Sequence, residues 1–426
     1  MSLQGIGRRG LLAGAGGLLA APAIVHAQGQ NGVALVIGNS KYQWEASLPN
    51  VRRDAPDIAK RFQELGLKTE VLLDAGREAM LQAIAKLGEA SRGAKLAAVY
   101  FAGHGVFWDK DSYLVPVDTD LSDPRTAQSL ITVRSIVQAL KGANSRLLIF
   151  DSCRNSPADG WKQRDAKYMA RDDAAQRESV DPGSANTLSV FSTPAGSIAL
   201  DGPAGGNSPF AAELLRQLDA PSVDLQALPA RLRRALLLAT DCRQLVWDNN
   251  TLASPLVLQR TGKAAGLAAP KVDSSRIVEL DKAYEFARQN DLALPPGLVA
   301  YRPAANTPAA RLVGSYKHEY ASPFGQAGGG NFKMTQSLLL VLAAPQGNAA
   351  ELILAYKDFR TAGGNRWEFM TADRTDDTVS FLGRSQDFRF EYKWTGANAG
   401  TYQHIEVSGR RKSSLKGTVP FTRLDG

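Results

Sequence analysis

Cysteine and histidine are scarce in this chain of 426 residues, which holds 2 cysteines and 4 histidines. Two cysteines allow one disulfide at most, and no His/Cys spacing typical of a zinc site is present. A content of 44% hydrophobic and 22% charged residues is typical of globular proteins and excludes a disordered chain. The length predicts two or three domains.

Long apolar runs are missing beyond the N-terminal segment, so we expect no membrane span in the mature chain. The formal net charge of +8 is spread along the chain, without a basic cluster interleaved with aromatic residues. This pattern is typical of a solvated basic surface and does not indicate a nucleic-acid partner.

The first 27 residues have the pattern of an export signal. Arg8 and Arg9 precede a Gly/Ala/Leu run, and Val25-His26-Ala27 has the small-residue pattern of a cleavage site. The apolar run is shorter than the roughly 20 residues that span a bilayer, which disfavours the alternative of a membrane anchor. We therefore predict a twin-arginine signal peptide over residues 1–27 and export, to the periplasm.

Residues 28–260 alternate strand and helix patterns and form the first predicted domain. The predicted strands are residues 33–38, 68–73, 96–101, 146–150, 188–191 and 256–258. The predicted helices are residues 54–65, 78–90, 129–140, 209–218 and 225–239. This alternation predicts an α/β fold with a mostly parallel sheet flanked by helices. Residues 154–184 are polar and too long for a compact connection, which indicates an exposed functional loop.

The remainder of the chain predicts a linker and a second domain. Residues 261–310 are rich in Ala, Pro and Gly around one predicted helix, residues 275–289, and indicate a linker. Residues 311–426 predict an all-β accessory domain of sandwich or barrel type. Its predicted strands are residues 338–342, 352–356, 379–382, 388–394 and 405–407. Aromatic and charged residues alternate from Phe388 to Trp394, and the aromatic face is either core or a ligand platform, with core favoured.

A histidine and a cysteine follow the third and fourth predicted strands. His104 lies in Gly103-His104-Gly105, and Cys153 follows 49 residues later in Asp151-Ser152-Cys153. The carboxyl ends of parallel strands meet at one edge of a sheet, where ligands bind. An imidazole within hydrogen-bond reach can ionise a thiol near neutral pH. The pair therefore predicts nucleophilic catalysis by a cysteine.

Other roles for the same residues stay open. Cys153 could be a buried inert thiol, although its polar neighbours argue against deep burial, and His104 could be a structural histidine. Cys242 is expected to be a structural or partly exposed free thiol; its alternative is a disulfide with Cys153. One alternative is excluded. A phosphatase loop needs an arginine six positions after the cysteine, and this chain has Asp159 there, so Cys153 does not belong to such a loop.

The motifs around these residues resemble those of bacterial metacaspases, within the caspase-like peptidases. The matching segments are Val33-Ala34-Leu35-Val36-Ile37-Gly38-Asn39, Tyr100-Phe101-Ala102-Gly103-His104-Gly105, Tyr113-Leu114-Val115-Pro116-Val117-Asp118 and Asp151-Ser152-Cys153-Arg154-Asn155. The resemblance extends from about residue 31 to residue 259, including residues 240–247, and does not include the β domain. The His–Cys separation is also that of caspases, whereas Asp-Ser-Cys departs from the animal-caspase Gln-Ala-Cys pattern.

The resemblance implies a role for each matching residue. Cys153 would be the nucleophile and His104 the general acid–base, and the N–H groups of Gly105 and Cys153 would hold the oxyanion. Asp54 and Asp151 would form an acidic pocket for a substrate Arg or Lys. Asp54 could equally be a helix N-cap, and Asp151 a structural hydrogen-bond acceptor. Ala102 stands where the family often has a serine, which bears on this specificity.

No cofactor is predicted. Some family members bind calcium through aspartates; Asp118, Asp120 and Asp123 are available, but the paired aspartates of such a site are missing. The expected partners are protein or peptide substrates with a basic residue before the scissile bond. Self-cleavage is expected in the loop after the nucleophile. The alternative function is an inert caspase-like scaffold whose β domain recognises a cell-envelope partner.

Overall fold

The structure is a computed structural model. It describes residues 32–108, 111–122, 126–154, 185–194, 197–261, 266–267, 273–302, 308–321, 334–344, 349–357, 365–382, 388–406 and 418–425. The predicted signal peptide, residues 1–27, and residues 155–184 of the predicted loop lie outside the described residues. Within the described ranges, no helix is both long and apolar enough to traverse a bilayer.

The first half of the described chain alternates strands and helices as predicted. Its strands are β1 Gly32–Gly38, β2 Leu67–Leu73, β3 Leu96–Ala102, β4 Gly105–Trp108, β5 Asp111–Leu114, β6 Ile131–Thr132, β7 Ser145–Asp151, β8 Thr187–Phe191, β9 Ser222–Asp224, β10 Trp247–Asn250 and β11 Val257–Gln259. Its helices are α1 Val51–Glu64, α2 Arg77–Ala90, α3 Val133–Ala139, α4 Pro209–Gln217 and α5 Leu228–Ala239.

The main sheet has the strand order β10-β8-β7-β3-β1-β2. Neighbours among β8, β7, β3, β1 and β2 pair in parallel, and β10 runs antiparallel at the edge. All seven residues of β3 are buried, as expected for a central strand that is covered on both faces. Helices α1, α4 and α5 pack on one face and α2 and α3 on the other. This confirms the predicted mostly parallel sheet flanked by helices.

Two predicted elements of this half differ in the structure. The helix predicted at residues 129–140 begins only at Val133, because Ile131 and Thr132 pair with β5 and the Thr132 hydroxyl caps the helix. The strand predicted at residues 256–258 pairs with β9 outside the main sheet. The edge strand of the main sheet is instead β10, whose polar sequence Asp248-Asn249-Asn250 did not predict a strand.

The second half of the described chain is dominated by antiparallel strands. Its elements are β12 Ile277–Glu279, α6 Asp281–Gln289, β13 Val299–Tyr301, β14 Gly314–Ala321, β15 Met334–Ala343, β16 Ala349–Lys357, β17 Asn365–Arg374, β18 Thr378–Leu382, β19 Phe388–Trp394, β20 Ala399–Glu406 and β21 Val419–Arg423. Strands β14 to β21 pair in chain order and close into a barrel through the β14–β21 and β15–β16 pairs. The all-β prediction is confirmed, with the barrel form.

The predicted linker also carries regular structure. Its helix begins at Asp281 and not at residue 275, and β12 and β13 join the edge of the barrel sheet. The alternating aromatics of β19 are confirmed as core: Phe390, Tyr392 and Trp394 are each at most 5% exposed.

Candidate active site

Strands β3 and β7 bring His104 and Cys153 to the same edge of the sheet. Ala102 pairs with Asp151 in the parallel register, so each predicted residue lies two positions beyond a paired residue. The Gly103 N–H donates to the Asp151 carbonyl oxygen at 3.2 Å. At Gly105, a Cβ atom would lie 2.8 Å from the Cys153 carbonyl oxygen, so only glycine fits there. The two strand ends therefore touch through their backbones.

The Ala46 carbonyl oxygen and the Tyr42 ring both contact the His104 ring. Its Nε2 lies 2.8 Å from the Ala46 carbonyl oxygen. Because a carbonyl oxygen only accepts, Nε2 must carry the proton of the neutral imidazole, and the basic lone pair is on Nδ1. Tyr42 packs against the ring with 4.5 Å between centroids, and its hydroxyl accepts the His104 backbone N–H at 2.8 Å. Sequence reasoning found neither Tyr42 nor Ala46.

Cys153 is half-buried, so the alternative of a deeply buried thiol is wrong. Its Sγ lies 3.9 Å from the Ala199 carbonyl oxygen. The residue before it is fixed by Ser192, whose hydroxyl accepts the Ser152 N–H at 3.1 Å and donates to the Ser152 carbonyl oxygen at 3.3 Å. The half-buried thiol thus lies on a backbone that is held by hydrogen bonds on its N-terminal side.

Arg154 anchors the chain on the other side of the thiol. It is only 2% exposed, and its guanidinium lies 4.0 Å from the centre of the Phe191 ring and 5.2 Å from that of Phe107. Two of its nitrogen atoms, Nη2 and Nε, donate to the Ser112 hydroxyl at 2.9 and 3.2 Å. Cys153 therefore lies between two fixed residues, Ser152 and Arg154, and the loop that follows is outside the described residues.

Asp54 and Asp151 lie together beside this edge, joined by Ser208. Asp54 Oδ1 accepts from the Ser208 N–H at 3.1 Å and from Asn207 Nδ2 at 3.0 Å, and the Ser208 hydroxyl donates to Asp151 Oδ2 at 2.5 Å. Burial raises the pKa of Asp54 to about 6, and burial together with the charge of Asp54 raises the pKa of Asp151 to about 7. The carboxyl of Asp201 acts on both in the same direction.

The alternative role of Asp54 as a helix N-cap is contradicted. Helix α1 begins at Val51 and its N-cap is Asn50, so Asp54 is already inside the helix. Its second oxygen, Oδ2, is buried and accepts no hydrogen bond from any residue that the structure describes. A buried carboxylate oxygen of this kind attracts a cationic or donating partner. The role of Asp151 as a hydrogen-bond acceptor is also observed, since it accepts from Ser208.

The segment that carries Asp201 and Ser208 is tied to α1. Asn50 Nδ2 donates to the Asp201 and Pro203 carbonyl oxygens, at 2.5 and 3.1 Å, and Asn207 Nδ2 also donates to Asp57 at 3.1 Å. Ser208 is the N-cap of α4, with a proline in the first turn. The Ser-Pro pattern predicts such a cap, but the hydrogen bond from Ser208 to Asp151 could not be predicted from it.

The aspartates considered for calcium are engaged locally where they are described. The Asp118 carboxylate accepts the Arg77 N–H at the start of α2, and the Asp120 carboxylate accepts from Ser122. Asp123 lies outside the described residues. No group of three or more His, Cys, Asp or Glu side chains suited to a metal ion occurs in the part of the chain that the structure describes.

Three comparisons with known proteins found similar sequences or structures. Residues 31–257, more than half of the chain, match a peptidase family described as the caspase domain. A human protein, mucosa-associated lymphoid tissue lymphoma translocation protein 1, is 27% identical over 124 residues, which are 29% of this chain and 15% of that protein. The crystal structure of caspase-1 from Spodoptera frugiperda is 16% identical, with a TM-score of 0.42, and the likeness covers 55% of this chain and 93% of that one.

Proposed function

The chain belongs to the caspase-domain family of cysteine peptidases, and on this premise we propose that it is an active endopeptidase that cleaves after arginine or lysine. The observation that carries the proposal is the shared register of β3 and β7, which brings the backbones of His104, Gly105 and Cys153 together at one sheet edge. Catalysis by a cysteine requires that arrangement.

The chemistry follows from the way His104 is held. Nδ1 takes the thiol proton of Cys153, and the thiolate attacks the peptide carbonyl carbon to form a tetrahedral oxyanion. The Ala46 carbonyl oxygen at Nε2 stabilises the imidazolium that results. The N–H groups of Gly105 and Cys153 stabilise the oxyanion. The imidazolium then protonates the departing amine, and a water molecule, deprotonated by His104, hydrolyses the thioester and restores the thiol.

The preference for a basic residue rests on the aspartate pair. Asp54 and Asp151 are buried within one hydrogen-bonded group, with Asp201 beside them. Two carboxylates in so small a space repel each other, and a substrate cation relieves this repulsion. The buried Oδ2 of Asp54 offers such a cation an acceptor. Arginine should be preferred over lysine, because a guanidinium can bond both carboxylates at once.

A panel of fluorogenic peptides that differ only in the residue before the scissile bond tests the proposal. We expect cleavage after Arg and Lys, little after Gln and none after Asp, and loss of all cleavage in Cys153→Ala. Cleavage after Asp but not Arg would contradict the acidic pocket while leaving the peptidase class intact. Failure of every peptide, together with no reaction of Cys153 with a thiol-directed peptide inhibitor, would favour the inert scaffold. Parallel assays with calcium and with a chelator test metal dependence.

We also propose self-cleavage in the loop after the nucleophile. Arg154 is not a cleavage site, because its side chain is buried between Phe107 and Phe191. The remaining basic residues lie outside the described residues: Lys162, Arg164, Lys167, Arg171 and Arg177. Mass spectrometry of active enzyme should show a cut after one of these five residues and none in Cys153→Ala. An intact loop in fully active enzyme would exclude self-processing.

Export is proposed on the N-terminal pattern alone. Arg8 and Arg9 are the residues that a twin-arginine pathway would recognise. Replacement of both by lysine should retain the precursor in the cytoplasmic fraction of a bacterial host, whereas the unaltered chain should be recovered in the periplasm without residues 1–27. Equal distribution of the two proteins would contradict this route.

A further inference from the structure

A strained turn, residues 240–245, follows α5 and lies between the catalytic sheet and the barrel. Asp241 and Cys242 have positive φ angles of 49° and 59°, an unusual conformation for two consecutive residues that are not glycine. The turn is fixed by bonds from the Thr240 hydroxyl to the Leu236 carbonyl oxygen and from the Cys242 N–H to the Leu237 carbonyl oxygen, both 2.7 Å. Such strain persists where the surroundings determine the conformation, and it is frequent at functional sites.

The Gln244 side chain extends from this turn towards the segments around Cys153. Its side chain is 1% exposed and makes one bond with each end of the amide: Nε2 donates to the Ser192 carbonyl oxygen at 3.0 Å, and Oε1 accepts the Leu200 N–H at 3.1 Å. Its own N–H donates to the Thr240 hydroxyl at 3.2 Å. A donor and an acceptor are both needed, so neither a carboxylate nor an apolar side chain can replace the amide.

The two backbone groups that Gln244 joins belong to the wall around the thiol. Ser192 holds the Ser152 backbone through its hydroxyl. Leu200 follows Ala199, whose carbonyl oxygen lies 3.9 Å from the Cys153 Sγ. In the same segment, the Ser197 carbonyl oxygen accepts the Arg154 N–H at 3.0 Å. A shift of Gln244 would therefore move both the support of Ser152 and the carbonyl oxygen that faces the sulfur.

The other side of the turn is built into the barrel half. Cys242 and Leu245 are fully buried in the hydrophobic core that the barrel strands form, and the Cys242 Sγ lies 3.8 Å from the Val299 carbonyl oxygen on β13. Arg233, on α5, is also fully buried and donates to the Val246 and Pro296 carbonyl oxygens and to Asp248. These contacts attach the turn to the barrel half, so the position of Gln244 depends on the packing of the barrel.

We propose that Gln244 is a positioning residue for the nucleophile, and that the accessory β sheet supports the active site through the turn that carries it. The β domain then has a role in the peptidase reaction itself, besides any partner it binds. The catalytic part of this inference rests on the proposed function. The positional part of the inference is that Gln244 holds Ser192 and Leu200 in place beside Cys153, and this part does not depend on the proposed function.

Three variants separate positioning from general stability. Gln244→Glu places a carboxylate oxygen against the Ser192 carbonyl oxygen; we expect kcat for an arginine peptide to fall at least about tenfold at pH 8 with KM changed less than about threefold. On acidification the glutamic acid becomes protonated and can donate again, so the ratio of variant kcat to wild-type kcat should rise. Gln244→Leu should show the same loss without the rise. A structural role alone would not predict this difference.

Gln226→Glu is the matched control. Gln226 also donates through Nε2 to a backbone carbonyl oxygen, that of Leu252 at 3.2 Å, and through its N–H to Asp224, and neither partner is among the residues around Cys153 named above. We expect its kcat and its pH profile to match those of the wild type within about twofold. A kcat loss in Gln226→Glu equal to that in Gln244→Glu would attribute the effect to general destabilisation and overturn the proposal.

Hydrogen exchange of the Leu200 amide tests the positional part without peptidase activity. The amide is protected by Gln244 Oε1, so exchange should accelerate at least about tenfold in Gln244→Leu and remain at the wild-type rate in Gln226→Glu. If the wild type cleaves no peptide but this difference is found, the proposed function fails and Gln244 remains a positioning residue. If exchange and kcat of both Gln244 variants stay within twofold of the wild type, the inference is wrong.

Discussion

The two cysteines of this chain lie in opposite settings, and the difference shows which of them a reagent can reach. Cys153 is half-buried at the end of a parallel strand, beside the backbone of a histidine-bearing loop. Cys242 is fully buried in the core shared with the barrel. Burial raises the pKa of the Cys242 thiol well above its usual range, and the nearby Glu351 carboxylate raises it further. Burial thus keeps the Cys242 thiol protonated, whereas Cys153 retains partial exposure to solvent.

The histidines of the two regions differ in the same way. His104 lies at the sheet edge with Nε2 on a carbonyl oxygen. His318 lies in the barrel with Nε2 3.1 Å from the Tyr392 hydroxyl, and burial lowers its pKa to about 3. An imidazole that is held neutral among aromatic rings contributes to packing, whereas one at the sheet edge that ends in a partly exposed cysteine is placed where a proton could be exchanged. Chemistry is therefore expected in the first region and structural support in the second.

Alanine replacement of each cysteine gives the largest contrast. Cys153→Ala removes the nucleophile and should lower kcat/KM for an arginine peptide by about four orders of magnitude. Cys242→Ala leaves the catalytic edge intact and should keep kcat/KM within about threefold of the wild type. Steady-state kinetics of the two purified variants measure both values of kcat/KM. Comparable losses in both would end the distinction between the two thiols.

Alkylation by iodoacetamide should differ between the two thiols by about three orders of magnitude at pH 7.5. Cys153 can react in the folded state, whereas Cys242 is inaccessible until the core opens. Peptide mapping after timed quenching measures both rates in one sample, and addition of denaturant should make them similar. Rapid labelling of Cys242 in the folded protein would show that the junction with the barrel opens readily.

The aspartate pair should make cleavage depend on pH. A cationic substrate requires ionised carboxyls, and the pKa values of Asp54 and Asp151 are raised to about 6 and about 7. We therefore expect kcat/KM for an arginine peptide to rise through this range. Asp151→Asn should lower it about a hundredfold and flatten the rise. An unchanged profile in Asp151→Asn would assign the titration to another group.

The same pair should affect stability with the opposite sign. Each carboxyl binds its proton more tightly in the folded state than in the unfolded state, where the pKa is near 3.8. The free energy of unfolding should thus fall as the pH rises from about 4 to about 7. Asp151→Asn removes part of this fall, so at pH 8 the variant should be more stable than the wild type by about 1–3 kcal/mol. Chemical denaturation at pH 5 and pH 8 measures the difference.

The sequence predicts the centre of the main sheet well because β1 and β3 are continuous apolar runs. A strand such as β3, with every residue buried, needs no other information, and parallel topology then places His104 and Cys153 at one edge. Strand β10 was missed because its polar residues form a strand only through pairing with β8. The barrel strands β14, β17 and β21 were missed for the same kind of reason, since their partners and not their own pattern define them.

The supporting residues of the site could not be predicted, because their partners are distant in the chain. Ser208 lies 154 residues from Asp54 and 57 from Asp151, and Gln244 lies 52 residues from Ser192. A serine or a glutamine in a loop carries no sequence signal of its own. Only the fold shows that Ser208 and Gln244 each join segments that are distant in the chain. Sequence patterns therefore indicate candidate reactive residues, whereas the residues that hold them emerge from tertiary contacts.

Loss of the buried thiol should have the smallest effect and should fall on stability alone. Cys242→Ala removes one sulfur atom from a filled core and should lower the free energy of unfolding by about 1 kcal/mol through the cavity that remains. Cys242→Ser keeps the volume but buries a hydroxyl near the Val299 carbonyl oxygen, and it should cost about 1–3 kcal/mol. Urea denaturation at pH 7, followed by tryptophan fluorescence, compares the two variants. A stability loss accompanied by an equal fall in kcat would show that the packing around Cys242, and not only the Gln244 amide, determines the position of the catalytic thiol.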